Sequence, residues 1–162
     1  MSKVHIGTPW PLGSTVTTRG VNFSVAAPTA ERIELLLFAD ANNPQPELIL
    51  ELQHCHRSGD YWHVEVEGLQ AGCCYGYRVF GPNEPEVHNF HPSKVLLDPC
   101  ARAISGWDVF QREAAKGASA NLQACLKAVV CEREQFDFKS HPRPRNAWNR
   151  SVIYELHVGG FT

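Results

Sequence analysis

Tyr75-Gly76-Tyr77-Arg78-Val79-Phe80-Gly81-Pro82 is the stretch on which the reading of the fold turns. At the period of two that a strand imposes, Tyr75, Tyr77 and Val79 share one face and Gly76, Arg78 and Phe80 the other. Gly81-Pro82 stops the ladder, because proline has no N–H to donate. Upstream, Tyr61-Trp62-His63-Val64-Glu65-Val66 alternates in the same way, and Leu69 and the turn-forming Gly72 lie between the two runs. The pattern predicts two antiparallel strands around a short connection, with aromatic side chains on the buried face.

Working outward, Val21, Phe23 and Val25 alternate with Asn22, Ser24 and Ala26, as in a half-buried strand. Arg19-Gly20 precedes this run as a turn, and Pro28 ends it. Arg32–Phe38 is apolar on both faces from Leu35 onward, which predicts a central strand. Leu48, Leu50 and Leu52 fall on one side of another strand, and Ser58-Gly59-Asp60 turns into the Trp62 run. Four to six short strands with turns between them predict an all-β chain, an antiparallel β-sandwich over about Pro11 to Ala103. Its core should hold Val21, Phe23, Val25, Leu35, Leu37, Trp62, Val64, Tyr75 and Tyr77.

Further on, Ser93–Pro99 reads as a buried extended piece and Asp108–Lys116 as a short helix. The composition of Ala118–Val130 also favours helix, with a weak stripe through Leu122, Leu126 and Val129-Val130. Phe136-Asp137-Phe138 is a short aromatic run, and His141–Asn149 is linker-like. Ser151–Val158 is a strongly apolar strand pattern with no strand after it to pair with.

Composition excludes several functions. The chain has 162 residues, 43% of them hydrophobic, with a net charge of −2. That balance predicts neither a nucleic-acid nor an anionic-membrane partner, and no apolar run is long enough to span a bilayer. The N-terminus carries no export signature, which predicts a cytoplasmic protein. The six cysteines, without regular spacing, are expected to be reduced and mostly buried. His54-Cys55-His56 reads as a solvated strand end, and no second ligand pair at zinc-like spacing accompanies it. No metal and no cofactor are therefore expected. Glu65 and Glu67 share a strand face that should be exposed and polar. With no Ser-His-Asp set and no phosphate-binding glycine loop, no catalytic residue is assigned.

The motifs Pro11-Leu12-Gly13, Gly20-Val21-Asn22-Phe23-Ser24-Val25, Tyr75–Pro82, Leu96-Leu97-Asp98-Pro99 and Val152–Thr162 occur in the order seen in isoamylase-type debranching enzymes of the α-amylase superfamily, glycoside hydrolase family 13. From about Pro11 to Thr162 the chain resembles their N-terminal domain, an immunoglobulin-like sandwich of carbohydrate-binding module family 48. The resemblance implies a sandwich over 1–105, a connecting region over 106–150 and, over 151–162, the start of a (β/α)₈ barrel with Val152–Val158 as its first strand. It also implies an extended rather than helical 127–131. Cys100 stands where the family usually has an aromatic residue and Gly159 where it usually has arginine; residues 83–91 and 105–125 are divergent.

The resemblance implies a non-catalytic domain of an α-1,6-glucan debranching enzyme, with the barrel and an α-glucan as partners. Retaining glycosidases need two carboxylates about 5–5.5 Å apart, and the family's three catalytic acids lie on later strands than Val152–Val158. A free-standing α-glucan-binding module and a generic immunoglobulin-like interaction domain are the alternatives; the last would place Val152–Val158 in the domain's own sheet. Sugars stack on exposed aromatic faces, which makes the four tryptophans the candidates. Trp62 reads as core and Trp148 as packed at the start of the barrel. Trp10 and Trp107, both in loops, are the predicted carbohydrate-binding residues. The apolar run 152–158 is further expected to support self-association.

Overall fold

The computed structural model describes residues 3–84, 88–133 and 144–161. The expected aromatic run 136–138 and the linker residues 141–143 lie outside them. The first sheet contains β1 (Val4–Ile6), β2 (Gly13–Val16), β3 (Gly20–Ala26), β6 (Arg57–Ser58) and β7 (Tyr61–Glu67). The second contains β4 (Arg32–Phe38), β5 (Leu48–Glu51), β8 (Cys74–Phe80), β11 (Ala103–Ser105) and β12 (Lys127–Val129). A small pair, β9 (Asn83–Glu84) and β10 (His88–Asn89), stands apart. The orders are β1-β7-β3-β2, with β6 folded onto β7, and β11-β12-β8-β4-β5; every pairing is antiparallel. The all-β, immunoglobulin-like sandwich is as expected, and β1 and β12 extend it beyond the 11–103 stretch.

One feature of the opening motif differs. The runs around Trp62 and Tyr75 are not hairpin partners. β7 pairs with β3 from Tyr61 to Glu67, and β8 pairs with β4 from Cys74 to Phe80. The two strands lie in opposite sheets, and the connection crosses the core edge through Gly68 and Gly72, at φ 83° and 93°. Both runs carry a fully apolar or aromatic face, and facing each other across the core buries both faces at once. All nine residues expected in the core are buried there, joined by Ile33, Val66, Ala128 and Val130. β4 is central, as its two-sided apolarity predicted, and the outer side chains Leu36 and Phe38 form a second cluster with Cys74, Val95 and Cys125.

Covering segments close both outer faces. On the first sheet, residues 7–10 cross polar side chains that would otherwise face water. The Asn22 amide donates to Thr8 O at 3.0 Å and its oxygen accepts from the Thr8 N–H at 2.8 Å, while the Ser24 hydroxyl donates to Pro9 O at 2.7 Å. His63 is buried beneath the same segment and shares a hydrogen bond with Ser58 Oγ. Glu65, expected on an exposed face, is also buried; Thr17 Oγ1 donates to it at 2.6 Å and Arg19 pairs with it at 2.8 Å. Only Glu67 of that pair is open to solvent, beside His5. On the second sheet, Glu34 and Glu51 stand directly opposite across β4 and β5, a repulsive pairing. Arg32 bridges them at 3.0 and 2.9 Å, and Arg78 adds a second contact to Glu34 at 2.9 Å.

Residues 93–98 cover the edge of β8. Leu96 exchanges two backbone hydrogen bonds with Tyr77 at 2.9 and 2.7 Å, and Val95 lies over Gly76. At the end of this segment Asp98 is buried. Tyr75 donates its hydroxyl to Asp98 Oδ2 at 2.8 Å, and the Cys100 N–H donates to Oδ1 at 2.7 Å. Two of the sequence motifs thus meet in one buried contact.

Other expectations are corrected. Ala118–Leu126 is not helical; Asn121 is buried and its side chain is occupied by the Val95 backbone, so the segment lies as an irregular cover on the second sheet. The extended 127–131 implied by the resemblance is β12 in part, and the helix expected over 108–116 is the shorter α1 (Arg112–Lys116). His54–His56 forms one turn of 3-10 helix rather than a strand end, with the Gln53 N–H donating to His56 Nδ1. All six cysteines are free, but only Cys74 and Cys125 are buried. Burial pushes those two thiols up and Cys73 to about 11, so none of the three is a ready thiolate. Val152–Val158 is not a strand: 151–157 carry no regular structure, and Val158–Phe161 is a helical turn, α2. A strand exists only by its ladder, and no described strand pairs with this segment.

Two outcomes test this packing. A Cβ at position 76 would lie 2.7 Å from Val95 Cγ1 and 3.3 Å from Leu96 O. Gly76→Ala should cost about 1–3 kcal/mol of unfolding free energy, and Val95→Ala in the same chain should return part of that loss in a double-mutant cycle. Strict additivity in urea unfolding would show that the two positions do not touch. The second concerns Asp98, whose carboxyl is pushed up by burial against the downward pull of the Cys100 amide and Tyr75 hydroxyl. A raised folded pKa makes its contribution full below the unfolded value of about 3.9 and lost as pH rises through the folded one. Asp98→Asn should therefore gain stability relative to the parent as pH climbs from about 4, and a difference that stays constant with pH would contradict this.

Candidate functional site

The two predicted residues stand on different covers. Trp10 ends the segment that crosses the first sheet; it is 60% exposed and leans on Tyr61 with ring centroids 5.4 Å apart. Trp107 follows β11 on the second sheet, is 64% exposed, and meets Phe110 edge-on at 6.0 Å. The structure therefore assembles no joint site from them. Trp62 is buried as expected, its indole N–H donating to Ala27 O and the Arg57 guanidinium 5.0 Å from the ring. Trp148, expected to pack on the barrel that 151–162 would begin, is 83% exposed in this chain, which does not test that expectation.

Trp107 leads into an excursion of the chain that shapes a cleft, and its ring touches Phe110, which lines it. After Ser105 the chain turns at Gly106, φ 94°, where a Cβ would sit 3.3 Å from Cys125 O. Only glycine tolerates both the left-handed backbone and that approach. The Val109 N–H donates back to Gly106 O at 3.2 Å, closing a turn that carries Trp107 and Asp108 outward. The Gln111 N–H then donates to Ala124 O at 3.2 Å, tying the outgoing strand of this excursion to the returning one. Between them, with Gln45 from the β4–β5 loop, lies an open cleft of about 710 Å³. Phe110 forms part of its wall, with Asp108, Gln111 and Gln123 as its polar lining.

Buried cations and an amide pin each wall. Lys94 is 5% exposed and its Nζ donates to Ala114 O and Ser119 O. Lys127 is 1% exposed and donates to Ala41 O at 2.6 Å, with Nζ 4.8 Å from the centre of the Phe38 ring. Asn121 holds both backbone groups of Val95 at 2.7 and 2.9 Å. The lining groups, by contrast, are idle: the side chains of Gln45, Asp108, Gln111 and Gln123 make no hydrogen bond to any described residue. Such a surface, with one aromatic platform, unpaired amides and a carboxylate, can stack a pyranose ring and exchange hydrogen bonds with its hydroxyls.

Among the described residues no group of three or more His, Cys, Asp or Glu could hold a metal, and no helix is long and apolar enough to cross a membrane. Sequence reasoning singled out none of the cleft's lining residues; Trp107 is only the chain neighbour of Asp108. Gln45 and Gln123 are far apart in the chain, and no period or spacing announces that three loops converge.

Comparison with known proteins gives the same direction. The family model described as carbohydrate-binding module 48 (isoamylase N-terminal domain) matches residues 11–101. The chain is 39% identical over 170 residues to a glycogen debranching enzyme of Pectobacterium atrosepticum and 36% identical over 168 residues to that of Klebsiella pneumoniae. In each case all of this chain is covered, but only 25% of the relative. Among solved structures, the pullulanase from Bacillus acidopullulyticus superposes with a TM-score of 0.50 at 25% identity, covering 74% of this chain and 11% of that one. A multi-modular glycogen-degrading pneumococcal virulence factor, at a TM-score of 0.52 and 15% identity over 78% of this chain and 12% of its own, shares the fold. With the sandwich, the motifs and a match across more than half its length in agreement, the chain belongs to carbohydrate-binding module family 48, the isoamylase N-terminal domain.

Proposed function

We propose that this chain is the non-catalytic N-terminal module of a cytoplasmic α-1,6-glucan debranching enzyme of glycoside hydrolase family 13, and that it supports the catalytic barrel and contacts α-glucan. The observation that carries this reading is the alignment of every residue of the chain with one quarter of glycogen debranching enzymes. The carboxylates agree with it. Glu34 is held by Arg32 and Arg78, Glu65 by Thr17 and Arg19, and Asp98 by Tyr75 and the Cys100 amide. Each has a structural partner, whereas glycoside hydrolysis needs a free pair about 5–5.5 Å apart.

Residues 151–161 support the barrel side of the proposal. Val152, Ile153, Tyr154, Leu156 and Phe161 are exposed, Val152 at 96%. Burying such side chains stabilises by roughly 1.5–3 kcal/mol each, and a parallel barrel strand is covered on both faces. A generic immunoglobulin-like domain would keep 152–158 in its own sheet, where the segment is not found. In the chain as it stands, the same side chains are a surface for a second copy.

The purified chain should release no reducing ends from glycogen, pullulan or amylopectin; activity that tracks the chain through purification would refute the non-catalytic assignment. Light scattering across concentrations should show association for the whole chain and a monomer for a version stopped at Asn149. Identical behaviour of the two would remove 152–158 as an association surface.

A further inference from the structure

We propose that Ser58 is an acyl-accepting serine, which takes one acyl group from an activated aryl ester with His63 as the base that activates it. The pair joins an open hydroxyl to a closed imidazole. Ser58 is exposed, whereas His63 is 2% exposed beneath residues 7–10, and Ser58 Oγ lies 2.8 Å from His63 Nε2.

Local folding sets this geometry. Gly59-Asp60 links β6 to β7 in two residues, with Gly59 at φ 61° in first place, as a type II′ turn requires. Ser58 therefore stands directly opposite Tyr61, and His63 follows two residues on along the same face. A Cβ added at Gly59 would meet nothing within 4 Å, so the turn leaves the approach open. Trp10 leans on Tyr61, and their tilted rings offer a flat leaving group a surface to pack on beside the hydroxyl.

The tautomer decides the direction of transfer. His63 Nδ1 is buried and makes no hydrogen bond of full geometry, but the Gly7 carbonyl beside it can only accept. Nδ1 thus keeps its proton, and Ser58 donates to Nε2. Burial holds the imidazole below its ordinary value against the upward pull of that carbonyl, so it stands neutral and ready to take a proton. The Ser58 oxygen attacks the ester carbonyl carbon while its proton passes to Nε2. The bond from that carbon to the aryl oxygen breaks, the proton leaves with the phenol, and the acyl group stays on Ser58. Nothing is oxidised or reduced.

The surroundings limit the chemistry. No described carboxylate is hydrogen-bonded to His63. In a serine triad such a carboxylate steadies the imidazolium, and without it the pair suits a phenol leaving group rather than an amine. His91 and Ser93 supply a contrast within the chain. Their side chains are 2.9 Å apart, but the two are neighbours in one turn, and His91 is only half-buried.

The test incubates the full 162-residue chain with 4-nitrophenyl acetate near neutral pH and locates the acetyl group by peptide mass mapping. Acetyl should collect at Ser58 ahead of Ser93 by about tenfold or more. His63→Gln should slow acetylation of Ser58 by about 100-fold, Ser93→Ala should leave it unchanged, and Trp10→Ala should slow it by about twofold to tenfold. Circular dichroism shows whether each variant is folded. Acetyl spread over the serines with no preference for Ser58 would overturn the proposal, as would equal labelling of folded His63→Gln. The mapping on the parent decides the matter without any variant, so a His63→Gln that does not fold leaves it testable. An unchanged rate in Trp10→Ala would overturn the aromatic surface and leave the Ser58–His63 pair standing.

Discussion

The hydrogen bond from Tyr75 to Asp98 is the contact on which the arrangement of this molecule depends. Tyr75 lies between the sheets, edge-on to Phe23 at 4.9 Å and to Tyr77 at 5.9 Å. A phenol at that depth needs an acceptor. Asp98 supplies it and is itself satisfied by the Cys100 amide. The pairing brings the segment after residue 93 along the edge of β8, where Leu96 joins the ladder through Tyr77. Val95 is thereby set over Gly76, its main chain is presented to Asn121, and Asn121 carries the loop that shapes the cleft. A line of specific contacts runs from the centre of the core to the surface on which Trp107 stands.

The sandwich was legible because its strands obey a simple period. Val21, Phe23 and Val25, or Trp62 and Val64, announce a buried face by alternation alone. Pairing was not legible in the same way. The runs around Trp62 and Tyr75 are adjacent in sequence and alike in pattern, yet they face each other across the core. Alternation says which side chains point inward and is silent about which neighbour a strand takes. Glu65 misled for a related reason: its face is outward from the core, but Thr17 and Arg19 close over it.

The cleft was the least legible part. Trp107 could be singled out as a loop indole, and Leu96-Leu97-Asp98-Pro99 and Tyr75–Pro82 could be recognised as motifs. Nothing in their spacing says that Tyr75 and Asp98 touch, or that Lys94 and Lys127 point into the protein. Lysine carries a prior for the surface, and its role as a clamp emerges only when the carbonyls of Ala41, Ala114 and Ser119 converge on it. The run 152–158 misled in the opposite sense: its composition is that of a strand, but composition cannot supply the neighbour that a ladder needs.

The clamps grip main-chain atoms. Asn22 and Ser24 hold carbonyls and an amide of Thr8 and Pro9, while Asn121 and the two lysines hold carbonyls and an amide of Val95, Ala41, Ala114 and Ser119. Every residue has a backbone, so such a grip is indifferent to which side chain is carried past it. The outward positions of the excursion are thus free to drift in identity while its path stays the same. Exchanges at Asp108, Gln111 or Gln123 would alter the chemistry of the cleft lining without moving its walls, provided the gripping residues stay. Adaptability and rigidity, usually opposed in a surface loop, are here assigned to different atoms of the same chain.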